Sequence, residues 1–142
     1  MREIVVGTDG SAGGEAALRW ALDIAKGSGA RLHLVTAYPD APSFRERLVG
    51  TARRESIDLR EVADNVLARA AEEAGAAGLV TETYAEEGDP AHVLIDVAQQ
   101  QGADLIVVGA RGLTGLERFL LGSVSSKLAH HAPCSVTIVR QR

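Results

Sequence analysis

Asp104-Leu105-Ile106-Val107-Val108-Gly109 is an unbroken apolar run between an acid and a glycine. Apolar residues in succession, rather than alternating with polar ones, describe a strand covered on both faces, as in the middle of a parallel sheet flanked by helices. Upstream, Gly88-Asp89-Pro90 is a turn with an N-cap acid and a proline at the first helical position. It opens a helix through Val93, Leu94, Val97 and Ala98 that ends at Gly102. Downstream, a glycine-punctuated stretch leads to a helix over Ser123–His131, stopped by Pro133, and a last strand over Ser135–Val139.

The first half of the chain repeats this pattern. Glu3–Val6 is a short β-branched run entering the turn residues Gly7-Thr8-Asp9-Gly10, with Ser11 as an N-cap. Ala17, Leu18, Ala21, Leu22 and Ala25 recur at helical spacing within 14–26, and 31–38 reads as a second strand. Pro39 and Pro42 break that strand, and 43–55 mixes charges of both signs without a period, which reads as an excursion. A helix over 57–74 and a third strand over 79–85 complete the count. Alternation of strand and helix requires right-handed crossovers and a parallel sheet. The expectation is an α/β fold: a five-stranded doubly wound sandwich of order 3-2-1-4-5, one domain over residues 1–142. Ligands in such sheets bind beyond the carboxyl ends of the strands where the order reverses, here after the first and fourth strands.

Composition narrows the function classes. At 142 residues, 46% hydrophobic and 24% charged, the chain suits one core. A net charge of −4 has the wrong sign for neutralising nucleic-acid phosphates, and 4% aromatic residues offer little base-stacking surface, so no nucleic-acid partner is expected. No run approaches the roughly 18 apolar residues of a membrane span, and MREIVVGTDG does not read as a signal peptide, which points to a soluble cytoplasmic protein with no membrane partner. The single cysteine, Cys134, excludes an intramolecular disulfide and a multi-cysteine zinc site.

The chemistry therefore falls to the residues after the fourth strand: Gly109-Ala110-Arg111-Gly112, then Gly122-Ser123-Val124-Ser125 after nine intervening residues. Glycine at a strand end allows a ligand close to the backbone. A helix start offers unpaired amides and a positive dipole end, with the Ser123 and Ser125 hydroxyls as further donors, and phosphate suits such a site. Taken singly, these glycines equally serve turns, and Ser123 equally caps its own helix. Asp9 is in place to accept from a ribose hydroxyl or to meet a phosphate-bound magnesium ion, or else to bond its own backbone two residues on, as Asp before Gly often does.

Gly109, Gly112, Gly122 and Ser123 fill every position of glycine, two residues, glycine, nine residues, glycine, serine or threonine. That pattern resembles the ATP-binding signature of the universal stress protein family. Ile4-Val5-Val6-Gly7-Thr8-Asp9-Gly10-Ser11 is similar to the family's first strand and turn, Gly88-Asp89-Pro90 to its third-helix entry, and His131–Val136 to its approach to the last strand. The resemblance implies a nucleotide-dependent stress-response module with ATP and Mg2+ as cofactors. The adenine nucleotide would lie across the ends of strands one, two and four. Gly7, Thr8 and Asp9 would line the site, Ala37 would leave room for the adenine ring, and Val108, Gly109, Gly112 and Gly115 would follow ribose and phosphates. Gly122, Ser123, Val124 and Ser125 would hold the triphosphate, and the metal would meet Asp9. Arg111 and Arg118 are placed either to meet a phosphate or to point into solvent. The resemblance also implies a homodimer joined along the last strand, 135–140, whose apolar residues Val136, Ile138 and Val139 lack a proline or lysine to deter pairing.

Other motifs fail. There is no Walker P-loop, and Gly7, Gly10 and Gly13 do not make a dinucleotide fingerprint. His130-His131 point apart on a helix and suit its C-terminal dipole better than a metal, and neither His33 nor His92 has a visible partner in the sequence. A phosphoacceptor receiver would need a strand-five lysine that is absent. Catalytic machinery is thin, so binding is favoured over turnover. A slow ATPase or a protein phosphorylating Ser123 or Ser125 is the first alternative, and a nucleotide-free dimeric interaction module the second.

Overall fold

The computed structural model describes residues 1–39, 58–110 and 122–141. Five strands, β1 (Glu3–Gly7), β2 (Arg31–Tyr38), β3 (Thr81–Glu87), β4 (Leu105–Gly109) and β5 (Ser135–Val139), form one sheet of order β3-β2-β1-β4-β5. Every pairing is parallel, with Ile4 beside both Leu32 and Leu105 in the central register. Four helices alternate with them: α1 (Ala12–Ser28), α2 (Leu59–Ala76), α3 (Pro90–Gln101) and α4 (Ser123–His131). The expected fold class and strand order are those observed. The 43–55 excursion lies outside the described residues.

Strand alternation distributes the core. Ile4, Val6, Leu32, Leu34, Leu105 and Val107 face α1 and α2, while Val5, Val35, Ile106 and Val108 face α3 and α4. All are buried. Each side chain of this size contributes about 1.5–3 kcal/mol on full burial, so the three inner strands anchor the domain. α1 packs through Ala17, Leu18, Ala21, Leu22 and Ala25, where small residues let the helix lie close to the sheet. The Ser11 hydroxyl caps its start by accepting from the Gly14 amide at 3.1 Å. Gly29 closes its end with φ 72°, a conformation that favours glycine.

β3 begins and ends two residues later than the apolar run Leu79-Val80 suggests. The chain leaves α2 through Gly78, at φ 76°, and the Leu79 amide still bonds back to the Ala74 carbonyl at 3.1 Å. Leu79 thus belongs to the helix exit, and regular pairing starts with Thr81 opposite Leu32. At the other end pairing continues to Glu87, because an edge strand tolerates the exposed acids Glu86 and Glu87. Asp104 is no strand residue; its carboxylate accepts from the amides of Arg2 at 2.7 Å and Glu3 at 3.0 Å, tying the N-terminus to the foot of β4. Those two bonds hold its carboxyl below the ordinary range.

His33, without a visible partner in the sequence, gains two in the fold. It is fully buried, with Nε2 2.8 Å from Glu3 Oε1 and Nδ1 2.8 Å from the Tyr84 hydroxyl. Tyr84 donates onward to Glu82 Oε2 at 2.9 Å. Burial, then this bond and the charges of Glu82 and Glu3, push the Tyr84 hydroxyl up to about 12. The chain of contacts joins β1, β2 and β3 at the end of the sheet remote from the strands' carboxyl termini.

Candidate functional site

At the carboxyl ends of β1, β2 and β4 the chain encloses a cleft of about 400 Å³. It lies where the strand order reverses between β1 and β4, the position expected for a ligand in a doubly wound sheet. Gly7, Thr8 and Asp9 form one wall, Val108 and Gly109 another, Ala37 a third, and Gly122, Ser123, Val124 and Ser125 the fourth. Ten expected residues therefore come together here. Arg111, Gly112 and Gly115, with Arg118, lie outside the described residues.

Each wall has a local cause. Thr8 is buried where β1 ends: its amide donates to the Val35 carbonyl at 3.0 Å and its own carbonyl accepts from Thr36 Oγ1 at 2.8 Å, locking the turn to β2. Asp9 makes the turn contact that Asp before Gly permits. Its Oδ1 accepts from the Ser11 amide at 3.0 Å and also from the Ser11 hydroxyl, the same hydroxyl that caps α1. Gly109 has a packing role besides lining the cleft. A Cβ there would stand 2.7 Å from the Gly13 carbonyl oxygen and 2.8 Å from its carbon, so the glycine admits the first turn of α1 against the end of β4. Gly14 is similarly constrained, since its Cβ would fall 2.9 Å from Thr8 Oγ1.

α4 begins at the fourth wall. The Gly122 amide donates to the Ala110 carbonyl at 2.8 Å, and among the described residues no side chain caps the helix. The amides of Ser123, Val124 and Ser125 have no acceptor among the described residues, as a helix start dictates. Ser123 is exposed, whereas Ser125 is buried and donates to the Gly109 and Ala110 carbonyls at 3.0 and 3.3 Å. The expectation of a Ser125 hydroxyl donated to phosphate is therefore corrected: its one proton is directed at the strand end.

The remaining surface is apolar. Val35, Leu94, Pro39 and Pro90 line the cleft with Ala37 and Val108, a composition suited to a flat organic ring. Sequence reasoning passed over Gly14, Val35, Pro39, Pro90, Leu94 and Ala110 as site residues. Pro90 and Leu94 had a signal, being in the first two turns of a helix that starts beyond a strand end; Val35 had none beyond its place in a buried strand. At the rim, Asp89 caps α3 through the His92 amide at 3.1 Å and pairs with Lys127 Nζ of α4 at 3.1 Å. Burial opposes ionisation of Asp89, but these bonds and the nearby charges outweigh it and hold the carboxyl below its ordinary range.

The described residues do not by themselves make a magnesium site. No group of three His, Cys, Asp or Glu side chains able to hold a metal occurs among the described residues, and one oxygen of Asp9 already takes two hydrogen bonds. His130 and His131 sit in the last turn of α4, with His130 Nδ1 2.8 Å from the Ser126 carbonyl. No helix among the described residues is long and apolar enough to cross a membrane.

Fold and cleft together define a doubly wound α/β protein with an open, apolar pocket at its topological switch point and a bare helix start on one side. Residues 1–140 match the universal stress protein family, and the chain belongs to that family. Universal stress protein YxiE of Bacillus subtilis is 34% identical, over 99% of both chains. Universal stress protein UspA from Lactobacillus plantarum superposes with a TM-score of 0.78 at 28% identity, covering 98% of this chain and 97% of the other. A universal stress protein crystallised in complex with cAMP is 33% identical, with a TM-score of 0.71 and coverage of 98% and 96%.

Proposed function

We propose that the cleft binds an adenine nucleotide, with ATP as the ligand, and that the protein is a nucleotide-dependent regulatory module of the cytoplasmic stress response rather than a dedicated enzyme. The observation that carries this reading is the start of α4. Three amides without an acceptor among the described residues open onto an otherwise apolar cleft, so phosphate and ring each have a matching wall. The signature Gly109, Gly112, Gly122, Ser123 supports it, as does the 33%-identical relative in complex with cAMP.

In this reading the purine lies between Ala37, Val35 and Leu94, the ribose near Asp9, and the phosphates at Ser123 and Val124. The Ser123 hydroxyl is available as a further donor. Magnesium enters as part of the nucleotide complex, because the described lining of the cleft supplies one carboxylate, Asp9, and no cage. Among the described residues β5 pairs only with β4, and Val136–Val139 are half-buried. Its outer edge, which no described strand covers, is the surface we assign to homodimer formation, by two-fold antiparallel pairing with a second copy.

Isothermal titration of the purified chain with ATP tests the binding. Saturable one-to-one binding that is lost in a Gly122→Val variant is expected; no heat at millimolar ATP, with a folded protein, would refute it. Sedimentation at micromolar concentration tests the dimer, and a monomer throughout would refute that assignment.

A further inference from the structure

Ser125 is 1% exposed, sits in the first turn of α4, and directs its hydroxyl at the end of β4. Its proton is shared between the Gly109 carbonyl at 3.0 Å and the Ala110 carbonyl at 3.3 Å, which leaves only lone pairs on Oγ for other neighbours. A phosphate oxygen cannot accept from it without breaking those bonds.

The acceptors are themselves immobile. The Ala110 amide donates to the Val139 carbonyl of β5 at 2.9 Å, and the Ala110 carbonyl takes a second bond, from the Gly122 amide at 2.8 Å. Gly109 is wedged against the backbone of Gly13. One residue beyond β4, Ala110, is thus held through its amide by β5 and through its carbonyl by two residues at the start of α4. Among the described residues no side chain caps α4, so this attachment is what ties its first turn to the sheet.

We propose that Ser125 is a positioning residue, a strut between α4 and the end of β4 that holds the amides of Ser123 and Val124 at the cleft before a ligand arrives. The strut stands on its own geometry; its effect on affinity rests on the nucleotide reading above. Donors already in place need not be ordered on binding, and that is the source of the gain.

Ser125→Ala removes the strut, Ser125→Cys keeps the shape with a weak donor, and Ser123→Ala alters the exposed hydroxyl alone. Two readouts are taken on the full chain well below its unfolding temperature: NMR hydrogen exchange of the Gly122 and Ser126 amides in the ligand-free protein, and ATP affinity. The Ser126 amide reports directly, because it makes the first bond of α4, to the Gly122 carbonyl at 3.0 Å. Faster exchange at both amides is expected for Ser125→Ala, with ATP affinity weakened about 3- to 10-fold and Ser125→Cys intermediate. Ser123→Ala is expected to weaken ATP binding without changing exchange.

Weaker ATP binding with unchanged exchange in Ser125→Ala would overturn the proposal in favour of a direct phosphate donor. Faster exchange with unchanged affinity would overturn it in favour of a purely structural bond. Should Ser125→Ala not fold, the same comparison in Ser125→Cys decides. If the wild-type chain binds no ATP, the nucleotide reading fails, and exchange alone decides the strut: unchanged rates overturn it, faster rates support it.

Discussion

Replacing Gly109 with alanine tests whether the end of β4 is shaped by the protein or by its ligand. The added methyl would lie 2.7 Å from the Gly13 carbonyl oxygen, 2.8 Å from its carbon and 3.1 Å from its Cα. Carbon atoms at ease stand roughly 3.5–4.0 Å apart, so α1 and β4 must separate by about 0.7–1 Å. The obstacle is backbone in the first turn of a helix and cannot swing aside as a side chain would. Overpacking of this kind costs about 1–3 kcal/mol. The smaller conformational freedom of alanine in the unfolded chain returns roughly 0.4–1 kcal/mol. The two ranges leave a net loss of about 0–2.6 kcal/mol with a centre of about 1.3 kcal/mol, which is roughly 3–5 °C in the melting temperature of a domain this size. Urea unfolding and calorimetry measure it, with ATP affinity measured in parallel. The same turn of α1 carries Ser11, which holds Asp9, so affinity should fall together with stability. A variant as stable as the wild type that no longer binds ATP would refute this reasoning and return Gly109 to the role of admitting the ligand.

Gly27 is the contrasting case: it lies inside α1, and a Cβ there meets nothing within 4 Å, so Gly27→Ala should stabilise the protein by about 0.4–1 kcal/mol in urea unfolding. Asp89→Ala removes the N-cap of α3 and should cost about 0.5–2 kcal/mol near neutral pH. Because the folded-state pKa of Asp89 is depressed, its contribution is present above the ordinary value of 3.8 and lost as pH falls through the lower one. Wild type and variant should therefore converge in acid. Tyr84 behaves in the opposite sense: its raised pKa makes its contribution complete below 10.0 and lost as pH rises toward about 12. An ultraviolet titration should show one tyrosine ionising only near about 12, and Tyr84→Phe should abolish that step.

Local patterns carried most of the fold. The run Leu105–Val108 reads as a doubly covered strand because apolar residues on both faces admit no other burial, and the glycine and proline punctuation set the helix ends. β3 was displaced by two residues because Leu79 and Val80 look like a strand start, while backbone bonding at the exit of α2 claims Leu79 first. The cleft was legible in outline, since ten of the residues that line it were expected there from the switch-point rule, the glycine signature and the family resemblance. Its apolar walls were not: Val35 and Leu94 look like any core residue until the fold leaves one side of them open.

Sequence alone determined the alternation of strands and helices, and with it the place where a ligand could enter, because hydrophobic periodicity and chain handedness act over a few residues at a time. Only the tertiary structure decided what individual groups do there. Asp9 turned to Ser11, Ser125 to the carbonyls of Gly109 and Ala110, Gly109 to the backbone of Gly13, and His33 to Glu3 and Tyr84. Hydrogen bonds and close contacts reach only about 3 Å, and for Ser125, Gly109 and His33 the partner stands many residues away along the chain, so its identity exists only once the sheet has brought the segments together.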